Sequence, residues 1–190
     1  MPRIILASGS PRRRELLSKI YDEFEIITSE VDESFGADIM PVDGVQILSV
    51  RKGRAVAEKL SADCLVISSD TLVEVDGKPL GKPTSREDAY GMLRLLSGRY
   101  HNVHTGVAVH YDGRVISGVD TARVKFKPLT DEEIYAYIDG GEPMDKAGAY
   151  AIQGEGGRFV EGFDGSFDTI MGLSVSLTES LIERICGKND

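Results

Sequence analysis

The 190-residue sequence is poor in the side chains that build metal-thiolate and redox centres, with two cysteines, three histidines and no tryptophan. Cys64 and Cys186 have neither metal-ligand nor C-x-x-C spacing, and Cys64 lies in an apolar run as a small core residue. His101, His104 and His110 fall in one strand region, where only the last two share parity, so they make a poor metal cluster. No Gly-rich Walker loop, G-x-S-x-G elbow or Cys/His pair occurs, which removes the commonest nucleotide-binding and covalent-hydrolase signatures. Apolar runs stay far below the roughly 20 residues that span a bilayer, and the N-terminus has no signal-type apolar region, so the expected setting is cytoplasmic, without membrane contact. Positive charge is also short: 22 Lys and Arg stand against 31 Asp and Glu, a net charge of −9 that disfavours nucleic acid as a partner.

What is present is ordinary for a soluble globular chain, with 41% hydrophobic and 28% charged residues. The length suits one domain over 1–190, or two small lobes around a cleft. Its most informative segment comes first. Arg3 to Ala7 reads as a buried strand, followed by Ser8-Gly9-Ser10-Pro11-Arg12-Arg13-Arg14. Pro11 suits the first position of a helix after a Ser that can cap it. First-turn N–H groups lack intrahelical partners and favour anions, and Arg forks pair with phosphate.

Further along, the spacing predicts a strand over 24–28, an acidic loop at 30–33 and a helix over 42–60. Lys52 lies on the apolar stripe of that helix, between Leu48 and Val56, and is expected to face inward. Residues 64–69 read as a central strand that delivers Asp70 and Thr71 at its C-terminal end, where open α/β sheets bind ligands. Asp76-Gly77 and Asp112-Gly113 read as hairpin turns. Thr84 with Glu87, and Thr130 with Glu133, read as capping boxes. Residues 147–153 read as a strand, 159–163 and 167–171 as a hairpin across Asp164-Gly165, and 177–186 as a closing helix. The fold class is α/β, a mixed elongated sheet flanked by helices with a cleft near the strand ends.

Four distant segments carry polar groups that make sense only if gathered: Ser8 to Arg13, Glu33, Lys52, and Asp70 to Lys82. Cations beside carboxylates suit a triphosphate with a hard divalent metal, Mg²⁺ being the natural choice. Asp70 is the expected base or metal ligand for an attacking water.

Taken together, Leu6 to Arg13, Lys52, Ser69-Asp70-Thr71, Gly81-Lys82-Pro83, Thr105-Gly106-Val107 and Lys146 to Gly154 resemble the Maf-like nucleoside triphosphate pyrophosphatases over essentially the whole chain. The resemblance implies an inosine triphosphate pyrophosphatase-like fold with a cleft between two lobes. It also implies metal-assisted hydrolysis of a nucleoside triphosphate to monophosphate and pyrophosphate, with Mg²⁺ or Mn²⁺. Asp70 matches the family's proton acceptor, and Ser8, Arg13, Glu33, Lys52 and Lys82 its polar set around phosphates and metal, with Glu33 and Asp70 the expected metal ligands. Arg12, Thr71 and Gln153 resemble the branch acting on dTTP and UTP rather than the one for 7-methyl-GTP. The Gln153 amide offers both a donor and an acceptor to a pyrimidine edge. Ser69 stands where relatives often carry Ala. A nucleotide-binding regulator of cell division without turnover is the alternative reading, and a homodimer is the assembly that relatives suggest.

Overall fold

The computed structural model describes residues 2–28, 30–36 and 38–187. Along the chain run β1 (Arg3–Leu6), α1 (Pro11–Leu17), β2 (Glu25–Ile26), α2 (Pro41–Ala57), β3 (Cys64–Val75), β4 (Lys78–Leu80), α3 (Arg86–Leu96), β5 (Tyr100–Tyr111), β6 (Arg114–Phe126), α4 (Asp131–Asp139), β7 (Val160–Asp164), α5 (Phe167–Met171) and α6 (Val175–Cys186). Short 3-10 turns lie between α4 and β7. The strands hydrogen-bond in the order β2-β1-β3-β5-β6-β7, with β4 on β3. Parallel pairs (β1 with β2 and β3) and antiparallel pairs (β3 with β4, β6 with β7) make the sheet mixed. Helices flank it in the expected α/β class.

The chain forms two compact units, and β3, β5 and β6 contribute residues to both. The first comprises Met1–Thr71, Thr105–Asp120 and Gly172–Asp190. Here β1 is the inner parallel strand, its Ile5 and Leu6 fully buried and in register with Val66 and Ile67 of β3. Each such side chain contributes about 1.5–3 kcal/mol on burial. Helix α2 buries Val45, Leu48, Ser49, Gly53 and Val56, a stripe of helical period that includes the position of Lys52. The helix can lie this close to β5 because residue 106 is glycine: a Cβ there would stand 2.5 Å from the Val45 carbonyl oxygen.

The second unit comprises Leu72–His104 and Thr121–Met171. Its core joins Leu93 and Leu96 of α3, Ile134 and Tyr137 of α4, Phe126 of β6, and Tyr150 and Phe159. Asp76 and Gly77 turn β3 into β4 with φ of 53° and 76°, the two positive angles the sequence implied. Asp112 and Gly113 do the same between β5 and β6, with φ of 50° and 69°. The Thr130–Glu133 capping box forms in full at the start of α4.

Four local expectations need correction. The cap of α3 is Ser85, which accepts from the Asp88 N–H, one residue past the predicted Thr84–Glu87 pair; Thr84 instead donates to the Asp88 carboxylate. Residues 147–153 form no strand, because Gly148 and Ala149 both take left-handed backbone angles, with φ of 68° and 60°. Residues 167–171 are helical, not the second arm of a hairpin, and β7 pairs with β6 instead. Ser10 precedes α1 as read, yet its side chain makes no cap bond; its own N–H donates to the Ser8 hydroxyl at 3.2 Å.

Candidate active site

Strand β3 organises the site through its alternation. Ser68 and Asp70 point toward α2: the Ser68 hydroxyl donates to the Ser49 carbonyl at 2.7 Å, and Asp70 accepts from Lys52 Nζ at 2.5 Å. Ser69 and Thr71 point the other way, toward Arg13 of α1 and the Gly172 carbonyl. Asp70 is not the end of its strand, contrary to the expectation from the 64–69 run, because β3 continues to Val75. It is β1 that ends, at Leu6 opposite Ile67, so Asp70 lies just past the C-terminal edge of its neighbour, in the crevice position favoured by ligands.

On the α2 side, Lys52 Nζ bridges two carboxylates, Asp70 Oδ1 at 2.5 Å and Glu33 Oε1 at 2.7 Å. The inward reading of Lys52 therefore holds, and its side chain is only 14% exposed. The Glu33 loop is fastened to the same helix. Arg51, next to Lys52, donates to the backbone carbonyls of Asp32 at 2.5 Å and Ser34 at 2.8 Å, on either side of Glu33. Two carboxylates and one ammonium leave this cluster net negative.

On the α1 side, Arg13 is spread over three acceptors: the Gly172 carbonyl from Nε at 2.9 Å, the Ser8 hydroxyl at 3.4 Å and the Thr71 hydroxyl at 3.3 Å. Thr71 also hydrogen-bonds Thr105 at 3.0 Å. Burial pulls the Arg13 pKa down, while the charge of Asp70 pulls it up, Arg12 lowers it further and Glu33 raises it. Arginine stays protonated through shifts of this kind. Arg13 thus feels both carboxylates of the α2 cluster, which ties the two faces of β3 into one electrostatic site. Arg12 is half-buried, and its Nε has no hydrogen-bond partner among the described residues.

Ser8, Arg13, Glu33, Lys52, Asp70 and Thr71 are therefore gathered, all within the first unit. Lys82 and Gln153 belong to the second. There the Gly81 carbonyl accepts from the Gly148 N–H at 3.0 Å, so the loop that carries Lys82 is tied to the segment leading to Gln153. Nothing in the sequence marks the Gly172 carbonyl, an acceptor 159 residues from Arg13 that only the tertiary fold supplies.

A family model described as Maf-like protein matches residues 3–185. The chain belongs to the Maf family. A Bdellovibrio bacteriovorus protein named dTTP/UTP pyrophosphatase is 43% identical over 189 residues, covering 96% of this chain and 98% of its own. A Bacillus anthracis protein of the same name is 46% identical over 176 residues, covering 93% and 92%. Among solved structures, the Staphylococcus aureus Ham1 protein aligns with a TM-score of 0.49 at 16% identity, over 73% of this chain and 99% of that one.

Proposed function

We propose that this Maf protein is a nucleoside triphosphate pyrophosphatase acting on dTTP and UTP, in the cytoplasm. The observation that carries the reading is the Lys52 bridge between Asp70 and Glu33, next to an Arg13 that is already oriented, in a chain 43% identical to a protein named for that activity. A triphosphate needs cations for its oxygens and a base for water, and this cluster supplies both kinds of group.

In this reading Asp70 takes the proton of the attacking water. The water oxygen bonds to phosphorus, and the oxygen bridging the α and β phosphates leaves with its electron pair, giving monophosphate and pyrophosphate. Lys52, Arg13 and Lys82 neutralise charge as it develops, and Ser8 donates a hydrogen bond to a phosphate oxygen. Arg12, Thr71 and Gln153 are the positions that track the choice of base.

Glu33 and Asp70 are the residues proposed to hold a divalent cation: they are oxygen donors from separate elements that converge on the Lys52 ammonium. Among the described residues no group of three or more His, Cys, Asp or Glu offers a larger ligand set. Mg²⁺ accepts such a site because it keeps several waters and takes one or two carboxylates. Bound there, it would screen phosphate charge and acidify water.

The test is pyrophosphate release from dTTP, UTP, CTP and 7-methyl-GTP with Mg²⁺ or Mn²⁺. Release from dTTP and UTP, abolished by EDTA and restored by added metal, is expected. A preference for 7-methyl-GTP overturns the branch, and tight nucleotide binding without any product would favour the regulatory reading.

A further inference from the structure

In the second unit the half-buried carboxylate of Glu142 holds the segment that carries Gln153, and no step proposed above uses it. Glu142 Oε2 accepts from the Tyr137 hydroxyl at 2.5 Å and from the Gly156 N–H at 3.0 Å, while Oε1 accepts from the Glu155 N–H at 3.1 Å. Tyr137 is fully buried in α4, and its hydroxyl oxygen in turn accepts from the Ala151 N–H at 3.4 Å. The Gly154 N–H closes the turn on the Ala151 carbonyl at 3.2 Å. The backbone at Gln153 is thus held from both sides, through Ala151 before it and through Glu155 and Gly156 after it. The packing leaves no slack: a Cβ on Gly154 would overlap the Glu142 carboxylate, and one on Gly156 would stand 2.6 Å from the Tyr137 hydroxyl.

A carboxylate is the side chain that can do this. Ionised, it is acceptor-only with about four lone-pair sites, enough for three donors at once, whereas a glutamine in its place would turn an N–H₂ toward at least one of them. An amide reading a base edge discriminates only when its donor and acceptor are held to about 0.5 Å. We infer that Glu142, backed by Tyr137, is a positioning residue for Gln153 and so sets the preference among pyrimidine bases. The inference rests on the proposed role of Gln153 in base recognition.

The experiment compares kcat and KM for dTTP, UTP and CTP in the wild type, Glu142→Gln, Gly154→Ala and Gln153→Ala, together with thermal unfolding of each. Glu142→Gln and Gly154→Ala should each cut the ratio of kcat/KM for dTTP over CTP by 10-fold or so, mainly through KM, with kcat on dTTP within about twofold of wild type. Added to Gln153→Ala, Glu142→Gln should change the ratio by less than twofold, because the group it orients is already gone. The inference is overturned if Gln153→Ala shifts the ratio while Glu142→Gln and Gly154→Ala do not. Equal loss on every nucleotide, or a lower unfolding temperature with selectivity intact, would likewise reduce Glu142 to a structural residue. If Gln153→Ala itself leaves the ratio unchanged, the recognition role of Gln153 falls, and this inference falls with it.

Discussion

Ser69 and Arg13 donate to the same oxygen, the carbonyl of Gly172, at 2.7 and 2.9 Å. The first bond comes from the middle of a buried strand and the second from a helix 56 positions earlier, so one peptide group at the start of the C-terminal segment joins that strand to the guanidinium. Ser69 is therefore a working donor. Ser69→Ala should cost about 1 kcal/mol, the usual net worth of one such bond, since Arg13 still satisfies the carbonyl. Chemical denaturation reads that loss, and turnover should fall by no more than a few fold.

Removing the charge at Asp70 separates chemistry from folding. Asp70→Asn keeps the shape but cannot take a proton, and it leaves Lys52 paired with Glu33 alone. Turnover should drop by about 10²- to 10⁴-fold, the range for a lost general base. Calorimetric titration with a nonhydrolysable dTTP analogue should still detect binding, and the unfolding temperature should move by only a few degrees.

Arg13→Lys retains a positive charge yet cannot donate to Gly172, Ser8 and Thr71 together. Because the guanidinium fork is what those three acceptors share, the change should behave almost like Arg13→Ala, lowering kcat/KM by about 10²-fold. Steady-state kinetics on dTTP with both variants checks this, and recovery of full activity by Lys would show that charge alone suffices.

His101 offers a pH test independent of catalysis. It is buried against Phe126 and Tyr150, its Nε2 hydrogen-bonds the Tyr150 hydroxyl at 2.8 Å, and burial lowers its pKa to about 4. The folded state thus holds the proton more weakly than the unfolded chain, where the value is about 6.5. Its contribution is complete above pH 6.5 and is lost as pH falls toward 4. Between pH 7 and 5 that amounts to about 2 kcal/mol. Urea unfolding at both pH values should show a smaller difference for His101→Phe than for the wild type, by roughly that amount.

Much of this was legible because the deciding signals are local. Asp-Gly at 76–77 and 112–113 needs only the turn geometry, and Lys52 was placed inward by its spacing from Leu48 and Val56 alone. The errors share one cause, short apolar runs whose backbone is set by their surroundings. Residues 167–171 look like a strand, but the Ser166 hydroxyl accepts the Asp168 N–H and starts a helix. Residues 147–153 look extended until Gly148 packs on Val73, where a Cβ would meet its side chain at 2.9 Å, and the chain must turn. In the first unit, Lys52 and Asp70 were readable as neighbours, while the Gly172 carbonyl was not, since every residue carries one and only folding selects which is used.

The confinement of Lys52 carries a consequence for how the site meets an anion. A lysine loses about 2 kcal/mol of rotamer freedom when it is held in one pose. Here the fold has already imposed that loss, through the α2 stripe below the stem and the two carboxylates at its tip. An arriving polyphosphate would find the ammonium pre-aimed, and its binding entropy would be spared that side-chain contribution.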